Sequence, residues 1–256
     1  MSLDSFLALA VELADAAGAA IRPYFRQPLA VQDKPDLSPV TAADRAAEEA
    51  MRRLIAARFP QHGILGEEFG RERAEAEFVW VLDPIDGTKS FISGVPLFGT
   101  LIALAQHGRP ILGIIDQPIS RERWIGAAGQ PSRLNGAAIR CRPCAGLAAA
   151  TLFATTPDMF TGPDAAAFAR LSKQVKLTRF GADCYAYGLL AAGFIDLVAE
   201  ASLKPYDFSA LVPIVEGAGG VATDWAGAPL GLGADGRVLV AGDRRTHAQA
   251  LAVLRG

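Results

Sequence analysis

Apolar positions recur along this chain with two periods, and the places where one period gives way to the other outline its elements. From Ser5 to Phe25 they return every three or four residues (Leu9, Leu13, Ala16, Ala20), and the same spacing runs from Ala42 to Phe59 behind Thr41, a residue suited to cap a helix. Two amphipathic helices are therefore expected near the start. Between them, Gln27 to Pro39 is polar and holds Pro28, Pro35 and Pro39, which excludes a helix interior and predicts a loop or irregular hairpin.

Short apolar runs follow at Phe78–Leu82, Leu97–Ala105, Ile111–Ile115 and Arg123–Ala127, separated by turn-forming residues such as His107 to Pro110. They predict an antiparallel sheet of sequential strands, with Asn135-Gly136 marking a further hairpin. Beyond about residue 148 the texture alternates: strands at 151–154, 176–180, 195–199 and 237–241, and helices at 164–175, 185–192, 208–216 and 246–254. The reading is an α+β N-terminal half, residues 1–140, and an α/β C-terminal half, residues 141–256, in one compact unit.

Composition narrows the function classes. The chain has 256 residues, with 25 basic against 27 acidic side chains and a net charge of −2. That balance supplies no general attraction to nucleic acid or an anionic membrane. No apolar run is long enough to span a bilayer, and the first residues carry Asp4 and Glu12 where a signal peptide would be apolar, so a cytoplasmic location is expected. Three cysteines cannot form a closed disulfide framework and suit a reducing compartment.

The segment richest in chemistry is Asp83-Pro84-Ile85-Asp86-Gly87-Thr88. The apolar strand before it should end at Asp83, because Pro84 cannot continue a simple ladder, and a short helix should open near Thr88. A sharp turn there would aim two carboxylates at one point, where a hard divalent cation would relieve their repulsion. The amides of Gly87, Thr88 and Lys89 would offer an anion cradle alongside. Every residue of the segment also favours a plain turn, which stands as the alternative. Two further acidic sites, Glu67-Glu68 and Asp207, fall at predicted element ends.

Gly66-Glu67-Glu68, Asp83 to Thr88 and Tyr206-Asp207-Phe208-Ser209-Ala210, in that order, resemble the motifs of the inositol monophosphatase-like metal-dependent phosphatases. The resemblance covers nearly the whole chain and implies a layered αβαβα sandwich. It implies that Glu67, Asp83, Asp86 and Asp207, with the Ile85 backbone carbonyl, are ligands for two or three Mg²⁺ ions. It further implies that Glu67 positions the attacking water, that Asp44 and Thr88 form a supporting pair, and that the protein is a homodimer.

More narrowly, Gly87 to Gly94, Phe98 to Ile102, Gly181 to Tyr187 and Glu200 to Asp207 resemble the histidinol-phosphate phosphatase branch. That implies L-histidinol phosphate as substrate, with Asp183 and Glu200 near its alcohol part, where anionic groups complement a cationic amine. Asp183 has a second reading as a helix cap, and Arg179 is expected either to order Asp183 or to reach a neighbouring subunit's site. Inositol 1-phosphate and sugar phosphates remain alternative substrates, and a binding partner of the transcription machinery is an alternative role.

Other signals carry less. Cys141-Arg-Pro-Cys144 lacks a second pair for zinc and reads as two cysteines flanking a bend. Gly231 to Gly236 fits a dinucleotide fingerprint in letters but leads into a strand, which makes it a glycine-rich turn. His62, His107 and His247 have no metal-ligand spacing and are expected at surface or loop positions, while Trp80, Trp124 and Trp225 are expected to pack.

Overall fold

The computed structural model describes residues 3–28 and 41–256, together with the backbone of 32–33 and 39–40. In chain order its elements are α1 (Leu3–Ile21), β1 (Gln32–Asp33), β2 (Pro39–Val40), α2 (Ala42–Arg58), β3 (Gly63–Gly66), β4 (Gly70–Glu72), β5 (Phe78–Asp86), α3 (Thr88–Ile92), β6 (Gly99–Gln106), β7 (Arg109–Gln117) and β8 (Glu122–Ala127). They continue with β9 (Arg133–Leu134), β10 (Ala137–Ala138), β11 (Thr151–Ala154), α4 (Gly162–Ser172), β12 (Leu177–Phe180), α5 (Tyr185–Ala191), β13 (Leu197–Glu200), α6 (Pro205–Phe208), α7 (Leu211–Gly217), β14 (Val221–Thr223), β15 (Val238–Ala241) and α8 (Arg244–Arg255). Most of the expected proline-rich loop lies outside the described residues; within it, β1 and β2 pair antiparallel as an irregular hairpin would.

Five layers result, each explained by the period of its apolar residues. The first sheet runs β10-β9-β8-β7-β6-β5-β3-β4. Along β5, Trp80 and Leu82 face one way and pack with Leu9, Leu13, Met51 and Ile55 of α1 and α2. Val79 and Val81 face the other way, onto Tyr187, Leu190, Leu211 and Ile214 of α5 and α7. The same cluster takes in Phe153, Val198 and Val240 from the second sheet, ordered β12-β11-β13-β15-β14. That sheet's far face, Leu152, Leu197 and Leu239, packs on Phe168, Leu171 and Leu254 of α4 and α8. The outcome is the expected αβαβα sandwich.

Local chemistry sets the boundaries. Pro23 follows α1 within a single 3₁₀ turn, Arg22–Tyr24. Thr41 caps α2: its Oγ1 accepts from the Ala43 amide at 3.1 Å, while its own amide donates to Asp44 at 2.8 Å. Asn135 and Gly136 both adopt positive φ, 49° and 84°, the conformation a tight β9–β10 hairpin requires.

The four expected strands, β5 to β8, pair antiparallel in sequence order, and β3, which was not among them, adds parallel to β5. Two expectations are corrected. The helix expected over 208–216 is two short ones, α6 and α7, broken around Ser209-Ala210. And β5 does not stop at Asp83, a point that decides the site described below.

One histidine is corrected as well: His107 is exposed in a turn and His62 lies in the bend before β3, though buried, but His247 is buried on α8. His62 stacks between Phe59 and Phe78 and accepts the Trp80 indole N–H at 3.2 Å. Burial lowers its pKa below the ordinary 6.5, so the folded state resists a proton that the unfolded chain accepts. Stability contributed by neutral His62 is therefore complete above pH 6.5 and is lost as pH falls below it. His62→Gln, whose amide oxygen still accepts from Trp80, should show a smaller drop in melting temperature between pH 7.5 and 5.5 than the parent. An identical drop in both proteins would assign the acid sensitivity elsewhere.

Candidate active site

Asp83 and Asp86 are three residues apart, and in a regular strand such residues face opposite sides of the sheet. Here the β5–β6 ladder pairs Asp83 with Leu101 and resumes at Asp86 with Gly99, so β5 carries one residue more than its partner. This bulge puts both carboxylates on one side. Pro84 has no N–H to contribute, and its carbonyl is taken by the buried Thr100 hydroxyl at 2.8 Å. The strand thus continues past the proline as a bulge, where a strand-ending turn was expected.

The third carboxylate arrives from the far end of the chain. Asp207 sits on α6, held by the Lys204 amide at 2.6 Å. Asp83, Asp86 and Asp207 each offer an oxygen such that all three lie within 4.8 Å of one another, and they could hold a metal ion. Burial first, then the Glu67, Asp86 and Asp207 charges, push the Asp83 carboxyl well above its usual range. Asp86 is raised by burial and by Asp183 and Asp207, against the pull of the Cys184 amide, which donates to it at 2.6 Å. Asp207 is pushed up to about 7 by burial, with the Lys204 amide opposing. One Asp83 oxygen is buried with no hydrogen-bond partner among the described residues. An all-oxygen, mutually repelling donor set with an orphaned buried acceptor fits a hard divalent cation.

Glu67 occupies the three-residue turn between β3 and β4, its amide donating to Leu82 at 3.1 Å. It lies outside the three-carboxylate cluster but acts electrostatically on Asp83, Asp207 and Asp44. Asp44 is fully buried; one oxygen is held by Thr41, and the other has no partner among the described residues. Thr88 donates its hydroxyl to the Ile85 carbonyl at 3.1 Å, and no hydrogen bond joins it to Asp44 among the described residues. Gly87 adopts φ 83° ahead of α3, and a Cβ there would meet the Asp183 carboxyl at 2.8 Å, so only glycine fits.

A cleft of about 300 Å³ opens over this centre, lined by Asp86, Gly87, Thr88, Asp183, Glu200 and Asp207 among others. Asp183 does not cap α5: its carboxylate accepts the Ser90 hydroxyl at 2.7 Å and faces the cleft. Glu200 is 3% exposed and holds two bonds, from the Thr155 amide at 2.6 Å and the Tyr187 hydroxyl at 2.7 Å. Arg179 is exposed on β12 with its guanidinium over Phe153, and the side chain that orders Asp183 is Ser90. Sequence reasoning assigned no role to Ser90, Thr155 or Tyr187. A larger hollow of about 990 Å³ beside Gly129 gathers only Glu216 among acidic residues, so size alone does not mark the site.

The pattern that defines the inositol monophosphatase family matches residues 2–256. The chain belongs to the inositol monophosphatase family. It is 52% identical to the bifunctional phosphatase IMPL2, chloroplastic, of Arabidopsis thaliana, over 97% of this chain and 75% of that protein. It is 39% identical to a histidinol-phosphatase of Chlorobaculum parvum, over 86% of each. Among solved structures, an inositol monophosphatase from Zymomonas mobilis superposes with a TM-score of 0.93 at 47% identity, covering 100% of both chains. Members of this family are phosphatases that generally depend on metal, and the acidic cluster at the β5 bulge suits that dependence.

Proposed function

We propose that this inositol monophosphatase-family phosphatase is a Mg²⁺-dependent histidinol-phosphatase, releasing L-histidinol and phosphate. The observation that carries the substrate is the surplus of negative charge: the cleft holds Asp183 and Glu200 in addition to the carboxylates at the bulge, each braced by hydroxyl or amide donors. A neutral polyol can offer these carboxylates only hydroxyl donors, whereas a cationic amine and imidazole add charge complementarity to the hydrogen bond. Histidinol-phosphatases among the relatives support the same choice.

In this reading Asp83, Asp86, Asp207 and the Ile85 carbonyl hold the ions, with Glu67 contributing. When bound, Mg²⁺ supplies positive charge that neutralises phosphoryl oxygens and acidifies water. Glu67 and the Asp44 oxygen that Thr41 does not hold orient the attacking water, with Thr88 alongside. The Gly87 and Thr88 amides receive phosphoryl oxygens, and displacement proceeds in line at phosphorus. Asp183 and Glu200 orient the leaving alcohol by its cationic groups.

Phosphate release from L-histidinol phosphate and inositol 1-phosphate, with Mg²⁺ and with EDTA, tests this. A preference of at least about tenfold for histidinol phosphate, about 1.4 kcal/mol, is expected. Asp183→Asn should raise KM for histidinol phosphate more than for the polyol phosphate. Equal rates on both substrates would remove the histidinol assignment and leave the phosphatase.

The same reading extends to assembly and location. β12 is an edge strand exposing Leu177 and Phe180, and we infer that it is covered in a homodimer. Among the described residues no helix is long and apolar enough to cross a membrane. Three free thiols suit the reducing cytoplasm we infer for the chain.

A further inference from the structure

We propose that Glu48 is a positioning residue that sets Glu67 in place, an inference that rests on the role given to Glu67 above. Thr41, Asp44, Glu48 and Arg52 form a polar stripe at helical spacing on α2, a helix whose other inward positions are apolar. Glu48 is fully buried. Its carboxylate accepts the Glu68 amide at 2.7 Å, the Phe69 amide at 3.2 Å and the Arg52 guanidinium at 2.8 Å. These two amides belong to the three-residue turn that begins with Glu67.

Arg52 grips the other end of that turn. Its Nη2 donates to the Gly70 carbonyl at 2.5 Å, and its guanidinium lies over the Phe69 ring, 5.9 Å from the centroid. On the opposite side, the Glu67 amide donates to Leu82, the residue before Asp83. The turn is therefore clamped between α2 and the strand carrying the aspartates. Gly66 permits the approach: a Cβ there would lie 1.9 Å from Glu48 Oε1.

A charged acceptor is needed because all the groups it meets are donors. Glutamine in its place offers one oxygen and turns an NH₂ toward an amide or a guanidinium, so at least one bond becomes a donor–donor contact. Glu67 would lose its fixed position while the Gly87 and Thr88 amides, on a different element, keep theirs.

The test is a double-mutant cycle of Glu48→Gln and Glu67→Gln with histidinol phosphate and Mg²⁺. It is joined by hydrogen exchange of the peptide covering 66–70 without added metal. Glu48→Gln should lower kcat at least tenfold with KM changed less than twofold, should speed exchange in 66–70 but not in β6, and should slow Glu67→Gln no further. A drop in melting temperature with kcat intact, unchanged exchange, or losses that multiply would each overturn the proposal. If Glu67→Gln keeps full turnover, the failure lies in the reading of Glu67 itself. Should Glu48→Gln not fold, Arg52→Met, which frees the turn and keeps the carboxylate, must show the same exchange and the same non-additive loss, or the proposal falls.

Discussion

Replacing Asp86 by asparagine is expected to cut kcat/KM by about a thousandfold, about 4 kcal/mol of transition-state stabilisation. It should leave the metal-free protein at least as stable as the parent. Both halves of the result come from one geometry. The Asp86 oxygen lies within 4.8 Å of oxygens on Asp83 and Asp207, and burial together with Asp183 and Asp207 holds its carboxyl well above the usual range. A raised carboxylate pKa means that the folded state loses stability as pH rises through it, so removing the charge relieves the empty site near neutrality. Asparagine also keeps an oxygen for the Cys184 amide, which now donates to Asp86 at 2.6 Å. What disappears is an anionic ligand. Calorimetry should show a Mg²⁺-dependent rise in melting temperature for the parent and little for the variant, while metal-free scans agree within a few degrees or favour the variant. An Asp86→Asn protein with near-parental turnover would take Asp86 out of the site.

The second large effect is on stability, at a position remote from the chemistry. Gly113→Ala on β7 should destabilise the fold by about 3 kcal/mol or more, because a methyl there must displace backbone. Its Cβ would lie 1.9 Å from the Ala210 carbonyl oxygen, and one on Gly126 of β8 would lie 2.4 Å from the Ile214 amide. These glycines let the segment from Ala210 into α7 lie directly on the first sheet. Asp207 stands three residues before Ala210, so lifting this segment also moves a carboxylate away from Asp83 and Asp86. For a chain of this size the melting temperature should fall by about 6–12 °C, with lost activity in whatever remains folded. Gly233→Ala, where an added Cβ meets nothing within 4 Å, should be silent. If Gly113→Ala melts like Gly233→Ala, the close packing of α7 on the sheet is wrong.

Part of the site was legible from local pattern. Asp-Pro-x-Asp at the end of an apolar run announces paired carboxylates, while Glu67 and Asp207 fall at element ends and are marked as ligands only by the family resemblance. The bulge was not legible, since it depends on β6 supplying Leu101 and Gly99 as partners for Asp83 and Asp86. Asp183 before a helix is indistinguishable from a cap until Ser90, 93 residues away, is seen to claim its carboxylate. That Arg179 lies on an edge strand, β12, was out of reach for the same reason: strand order is a property of the whole sheet. Glu48 carried a faint signal, one turn beyond Asp44 on α2, but its spacing alone equally suits an i, i+4 pair with Arg52.

By itself, the sequence determined what propagates over a few residues. This covers the two opening helices with their Thr41 cap, the Asn135-Gly136 hairpin, the apolar strands of both halves, and the choice of oxygen-bearing side chains that makes a hard-cation site. Those depend on backbone preferences and on periods of 3.6 and 2, which are local. The tertiary structure decided which carboxylates meet, which histidines are buried, and which turn is clamped. Asp83 and Asp207 are 124 positions apart, and only the packing of α6 and α7 on the glycine-lined face of the first sheet brings their like charges within 4.8 Å. No local preference favours that approach; burial of the shared apolar core around Leu211, Ile214 and Tyr187 supplies the free energy that holds it.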